Sequence, residues 1–437
     1  MKKISLSFLL GASAILYSCG GGDQKTTATQ NPTDNTIDSV LLLSDVHLSV
    51  SFSINRSSSA TYYGNYNGAE VDCDTTQLKY LQDELAAKYA NMKYAVCAGD
   101  FNGHYNGTKT QAVMKDQMGR IYNCLKTAIP GVTVIPAMGN NDFSNDYVID
   151  TFSYQNFYDL FVKQLNPKDI TRENFKGYYA YDCNADFRII VLNTVMFDNY
   201  YSSSWLMNAI ESADKNYFNI IQEQAQNQLK WLAKTLEESK GKKVWLLYHI
   251  PPGNNRYASH GDNVAFWDTT QNYKEVFDSL VFTYKDIIKA QIGGHSHMDD
   301  YMAYVNNLTD LKVYNYIHIA PGMCANHYNN PAFQMLKLDS DKHLNDIRTH
   351  YLSFGPVKWQ QYDFTQPSGF NKPLNNEFFE QALKLSKTPG TPEYTSFMTN
   401  YFNLYYTFDS AAMATQSGYQ QYENAFLGTT IVNNGRK

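Results

Sequence analysis

An α/β layered fold is predicted by two features of the chain. Short apolar, β-branched or aromatic runs alternate with segments of helical periodicity, and several of those runs end abruptly on glycine, carboxylate, asparagine or histidine. Ser39–Leu43 is the first run and delivers Ser44-Asp45. Gln77–Tyr89 follows, with Leu78, Leu81, Leu85 and Ala86 at helical spacing. Tyr94–Ala98 is a second buried strand, ending at Gly99-Asp100. Thr110–Ala128 reads as a helix, and Val132–Met138 as a third strand ending at Gly139-Asn140. Arg188–Asn193, Val244–Tyr248, Ala290–Ile292, Tyr314–Ala320 and Phe333–Leu338 complete the strand series, with an amphipathic helix over Glu223–Leu236. In such layering, ligands bind at the C-terminal ends of the strands.

The character changes after residue 355 to polar, Tyr/Asn/Gln-rich sequence. Helical patches over Glu377–Ser386 and Thr395–Tyr406 are separated by Pro389-Gly390-Thr391-Pro392. A catalytic domain over 37–355 and a small helical C-terminal subdomain over 356–437 are expected. At the other end, Lys2 and Lys3 precede a mostly apolar stretch from Ile4 to Leu16, too short for a stable membrane span. Residues 1–18 therefore read as a signal peptide. Cys19, after a small residue and before Gly20-Gly21-Gly22, resembles a bacterial lipobox. It predicts an acylated Cys19 and a membrane-anchored lipoprotein, in the periplasm or at the cell surface, with a plain secreted protein as the alternative. Residues 19–36 lack periodicity and read as a tether.

Composition narrows the partners. Charged residues make up 18% and the formal net charge is −6, with no Lys/Arg-rich run. A nucleic-acid polymer held by counterion release needs a basic face, so it is not an expected partner. Six cysteines, irregularly spaced and without a C-x-x-C pair, argue against a disulfide framework or a thiolate metal site.

The chemistry collects at strand ends. Asp45-Val46-His47 puts a carboxylate and an imidazole two residues apart, which on extended chain points both side chains to one side. Asp100, Asn140, His249 and the Gly294-His295-Ser296-His297 turn follow other apolar runs. Each motif alone is weak; the ordered set of three oxygen donors and four imidazoles is not explained by packing. Oxygen and nitrogen donors without thiolates suit Zn²⁺, with Mn²⁺ or Fe²⁺ as alternatives. Seven donors exceed what one such ion takes, so two divalent ions sharing a carboxylate use them all.

Asp45-x-His47, Gly99-Asp100, Gly139-Asn140, His249 and Gly294-His295-x-His297 together resemble the calcineurin-like metallophosphoesterase superfamily. Cys73-Asp74, His104 four residues after Asp100, His249-Ile250-Pro251-Pro252-Gly253, and Asn330-Pro331-Ala332-Phe333 resemble its acid sphingomyelinase-like phosphodiesterase and endopolyphosphatase branch. That resemblance implies a four-layer αββα sandwich. It implies Asp45, His47 and His297 on one ion, Asn140, His249 and His295 on the other, and Asp100 between them. It implies hydrolysis of a lipid or small-molecule phosphoester, most simply a diester, by a metal-bridged hydroxide, with His104 as proton donor. Endopolyphosphatase, phosphomonoesterase, or a non-catalytic lipoprotein on the same fold are the alternatives. One position departs from the superfamily: Asn141 stands where a phosphate-binding histidine is usual. An amide donates hydrogen bonds but cannot supply a proton near neutral pH.

Overall fold

The run Ser39–Leu43 becomes β1, with its last four residues buried, as expected of a strand covered on both faces. The computed structural model describes residues 37–49, 72–104, 108–198, 210, 214, 216–253, 265–306, 309, 311–325, 330–354, 357–363, 373–386, 391–393 and 430–432. The expected signal peptide, Cys19, the tether and the helix over Thr395–Tyr406 lie outside the described residues.

In chain order the strands are β1, β2 (Tyr94–Cys97), β3 (Thr133–Pro136), β4 (Tyr179–Asp182), β5 (Phe187–Val191), β6 (Lys243–Leu247), β7 (Ile288–Gly293), β8 (Asp300–Val305), β9 (Val313–Ile319), β10 (Ala332–Leu338), β11 (Leu344–Phe354), β12 (Val357–Asp363) and β13 (Thr430–Val432). The helices are α1 (Thr75–Lys88), α2 (Gln111–Ala128), α3 (Thr151–Phe157), α4 (Tyr217–Glu238), α5 (Tyr273–Thr283) and α6 (Asn376–Ser386). Two mixed sheets form, ordered β12-β11-β10-β1-β2-β3 and β13-β8-β9-β7-β6-β5-β4. Within the first, β1, β2 and β3 run parallel; within the second, β5, β6, β7 and β9 do. One apolar core spans both sheets, and buried hydrogen bonds such as Tyr179 Oη to the Pro136 carbonyl (2.9 Å) tie them together. Helices flank the sheets, and their starts are capped as their sequences allow. Asp74, which the motif reading had grouped with Cys73, accepts from the Gln77 N–H at 2.8 Å and caps α1; Asp150 caps α3 in the same way.

The region after residue 355 adds to both sheets. β11 and β12 pair as an antiparallel hairpin across the boundary expected at 355/356, β13 pairs with β8, and residues 37–437 cluster as one unit. β12 carries little apolar signal because it is an edge strand. Its pairing is polar and aromatic instead: Arg348 donates twice to its cross-strand neighbour Asp363 (2.7 and 3.0 Å), and Trp359 sits edge-on to Phe333. The helix expected over Glu377–Ser386 is α6. Its Phe379 packs on Tyr301 and Tyr316, ring centroids 4.6 and 4.4 Å away. The five described cysteines, Cys73, Cys97, Cys124, Cys183 and Cys324, form no disulfide.

Candidate metal centre

Five central strands, three from one sheet and two from the other, end at one place. Beyond β1 the chain stays zipped to the segment after β2: Asp45 N donates to Gly99 O, His47 N to Asp100 O and Leu48 N to Phe101 O, at 2.9–3.0 Å. The second sheet is joined there by the His295 N–H, which donates to both Asp45 oxygens at 3.1 and 3.2 Å. His249 Nδ1–H donates to the Ala98 carbonyl at 2.6 Å. All seven donors expected from the sequence are brought together, and six of them are buried; His295 is partly exposed.

Their polar atoms form two groups. In one, His47 Nε2 and His297 Nε2 are 3.1 Å apart, and Asp45 Oδ1 lies 3.4 Å from the second and 3.9 Å from the first. In the other, His249 Nε2 is 3.1 Å from Asn140 Oδ1, and His295 lies with Asp100 and His249. Asp100 Oδ2 faces both, 3.4 Å from His47 Nε2 and 3.2 Å from His249 Nε2.

Divalent cations fit this arrangement. His249 spends its Nδ1 proton on Ala98, so its Nε2 faces the Asn140 and Asp100 oxygens, which are acceptors, and needs a second proton or a cation there. His47, its Nδ1 3.2 Å from the Asn102 carbonyl, likewise faces Nε2 toward other lone pairs. Such converging acceptors need protons or cations among them, and a divalent cation in each group supplies that charge in place of protons. The spacings are also those of donors on one ion, since bonds of about 2.0–2.1 Å in a tetrahedron set donors roughly 3.3 Å apart.

The family model for calcineurin-like phosphoesterases matches residues 39–299, more than half of the chain. The chain belongs to the calcineurin-like phosphoesterase family. Members of this family hold a dinuclear metal centre. Among curated relatives, Sphingomyelinase phosphodiesterase C of Dictyostelium discoideum is 26% identical over 57% of this chain and 52% of its own length. Sphingomyelinase phosphodiesterase D of the same organism is 24% identical over 69% of this chain and 66% of its own length. Cyclic GMP-AMP phosphodiesterase SMPDL3A of Rattus norvegicus is 26% identical over 67% and 64%. The chain thus spans between about half and two thirds of the length of these relatives.

In this calcineurin-like phosphoesterase the loops that carry the candidate donors are strained. Asp45, His47, Asp100, His295 and His297 all have positive φ, between 44° and 73°. Each such non-glycine residue costs on the order of 1–3 kcal/mol, and persists only where its surroundings over-determine it. Asp142 is one such determinant. Its carboxylate accepts from the backbone N–H groups of Gly139, Asp100, Phe101 and Asn102 at 2.9–3.1 Å. Glycine at 139 is required by close approach, because a Cβ there would meet Asp100 Oδ1 at 2.1 Å. Asp146 accepts from Asn140 Nδ2 at 2.8 Å, which turns Asn140 Oδ1 toward His249.

Three positions define the margin of the site. His104 stacks on His47, centroids 3.9 Å apart, and Asp72 accepts from both its Nδ1 (2.8 Å) and its backbone N–H (2.8 Å). Sequence reading missed Asp72, since its partner is 32 residues away and no motif spacing links them. Asn141 is buried against Asp100, to which its N–H (2.8 Å) and Nδ2 (3.1 Å) both donate. Cys324 Sγ, also unforeseen, is 3.3 Å from His297 Nδ1. The other described histidines serve structure: His318 contacts Gln334 at 2.7 Å, and His350 stacks on Phe333. The Asn193-Thr194 pair latches loops, with Thr194 Oγ1 accepting from Ile250 N at 2.8 Å.

Loading cations is expected to release protons. Burial, then the Asp100 charge, pushes Asp45 up to about 7 against the pull of His249. For His249, burial lowers the affinity for a proton, but the Asp100 and Asp45 carboxylates outweigh it and raise the group to about 9. Both must deprotonate before their lone pairs are open. Between pH 7 and 9 about one proton should leave on loading, and below pH 7 about two, so metal affinity falls as pH falls. Calorimetric titration of metal-free protein in buffers of different ionisation enthalpy measures this; a heat independent of buffer would contradict it.

Proposed function

We propose that this protein is an exported, two-metal phosphodiesterase that hydrolyses a phospholipid head group or nucleotide-type phosphoester. Asp45, His47 and His297 would hold one cation, Asn140, His249 and His295 the other, and Asp100 would bridge them. The observation that carries this reading is the placement of one oxygen, Asp100 Oδ2, against an imidazole of each group. Zinc is the first choice of metal on the donor set, ahead of manganese and iron. Two such cations supply Lewis-acid charge for a phosphoryl group and make a water acidic enough to be deprotonated near neutral pH.

The protein's own groups do the remainder. His104, held at Nδ1 by Asp72 and flattened on His47, leaves Nε2 to give a proton to the departing oxygen of the ester. Asn141 steadies Asp100 through two N–H groups. A diester is favoured by the branch resemblance and by relatives whose names are Sphingomyelinase phosphodiesterase and Cyclic GMP-AMP phosphodiesterase. Polyphosphate is less favoured, because a long polyanion calls for a basic groove in a chain whose net charge is −6. Export and anchoring rest on the signal-like residues 1–18 and on Cys19, and mass spectrometry of the mature N-terminus tests them.

Purified, metal-analysed protein is expected to hydrolyse bis-p-nitrophenyl phosphate faster than p-nitrophenyl phosphate, and to turn over sphingomyelin or a cyclic dinucleotide faster than polyphosphate. A clear preference for the monoester would overturn the diester assignment. Metal-loaded protein inert to all of them would favour the non-catalytic reading.

A further inference from the structure

Among the described residues near the centre, Lys109 is a cationic side chain that the proposed mechanism leaves unused. Lys109 is only 3% exposed. Among the described residues its ammonium makes no hydrogen bond and no ion pair. Its backbone is fixed: Lys109 N donates to Ser144 O at 2.7 Å, and the adjacent Thr108 Oγ1 donates to Asn145 Oδ1 at 2.8 Å. These bonds pin it to the loop that carries Asn140 and Asn141. Lys109 also immediately precedes Thr110, which caps α2. The charge is felt by the site. It disfavours protonation of His47, and Asp146, Asp100, Asp142 and Asp72 are the carboxylates that act on it in turn.

The Lys109 side chain is buried, while its ammonium is not among the enclosed nitrogens and keeps its three donors open to an incoming acceptor. Burial pulls Lys109 below the usual lysine range, and the four carboxylates, led by Asp146, only partly restore it. One of them, Asp100, is proposed above to share its charge with two cations. The site therefore has room, electrostatically, for another anion beside Lys109. It also has a gap to fill. Where the superfamily usually places a phosphate-binding histidine, this chain has Asn141, whose N–H groups point to Asp100.

We propose that Lys109 is a substrate-contacting residue whose ammonium binds a non-bridging phosphoryl oxygen, taking over the charge that Asn141 cannot supply. The proposal rests on the phosphoesterase reading above, and it names the group that recognises the phosphoryl anion.

Inorganic phosphate is the probe, titrated calorimetrically into metal-loaded protein whose metal content is measured in parallel. Lys109→Gln is expected to keep its metals and to weaken phosphate binding by about 10–100-fold, the range for a charged hydrogen bond. Lys109→Arg should recover most of that loss. Unchanged phosphate affinity in a metal-replete Lys109→Gln protein would overturn the proposal. So would an arginine variant that loads metal yet binds phosphate no better than the glutamine variant. Should Lys109→Gln fail to load metal, wild-type protein labelled at lysine ¹⁵Nζ decides the matter. A Lys109 signal that shifts on adding phosphate supports the contact, and one that does not move excludes it. Phosphate binding that depends on Lys109 in a protein inert toward every ester would sink the phosphoesterase reading while leaving this contact intact. Active protein with Lys109-independent phosphate binding would do the reverse.

Discussion

Asp100→Ala is expected to abolish loading of both cations and, with it, essentially all phosphoester turnover. The reason is that one oxygen serves two groups. Asp100 Oδ2 is 3.4 Å from His47 Nε2 and 3.2 Å from His249 Nε2, so its loss opens both clusters at once. Loss of a supporting residue around a metal typically costs about 10–100-fold in affinity or activity, and loss of a shared donor should exceed that. Asp100 also accepts from Asn141 N and Nδ2, so truncation leaves two buried donors unmatched. Asp100→Asn separates the effects, because it keeps the shape and removes the charge. Elemental analysis should find both variants metal-poor, and circular dichroism should find the asparagine variant folded. A metal-replete, active Asp100→Asn protein would show that Asp100 is not the bridge.

Much of this centre was legible before any coordinates, for a physical reason. A donor that must reach a shared point from the end of a buried parallel strand leaves a sequence mark, an apolar run stopping on a polar residue. Asp45, Asp100, Asn140, His249 and His295 each carry it. The i, i+2 spacing of Asp45 with His47, and of His295 with His297, adds a second mark. What escaped has no such spacing. Asp72 reaches His104, and Asp146 reaches Asn140, through loop paths that no periodicity encodes. The positive φ of five of the candidate donors is equally invisible, since none of them is glycine. In the fold, β8 went unread although all six of its residues are buried, because it starts three residues after His297 and blends into that motif. β12 was placed in the polar C-terminal region because an edge strand needs few apolar residues.

These misses share a pattern that bears on function. Strand interiors and ligands are specified by burial, which sequence periodicity reports well. The supporting layer of Asp72, Asp142 and Asp146 is specified by hydrogen-bond geometry, which only a folded chain reveals. Yet this layer holds the strained ligand loops in place. Asp142 alone gathers four backbone N–H groups from the segments that follow β2 and β3. Substrate discrimination should likewise reside in such loop residues, with Lys109 the first candidate.

His104→Ala should keep both cations and slow turnover by roughly 10²–10⁴-fold, the usual worth of a positioned proton donor. Its ring is outside both donor groups and meets them only through ring contacts, stacked on His47 at 3.9 Å and tilted to His297 at 6.4 Å, so metal content should hold. The size of the penalty should depend on the ester. A leaving group such as p-nitrophenol departs without a proton, whereas an aliphatic alcohol or a ribose hydroxyl needs one. The deficit should therefore shrink for nitrophenyl esters and be full for natural ones. Asp72→Asn should follow the same trend at smaller amplitude, because it weakens the hold on Nδ1 without removing the ring. The double variant should be no worse than His104→Ala, since Asp72 acts through His104. Rates across a series of phosphodiesters with leaving groups of graded acidity measure all of this. A deficit that stays constant across the series would remove His104 from proton donation and leave it as a ring that packs on His47.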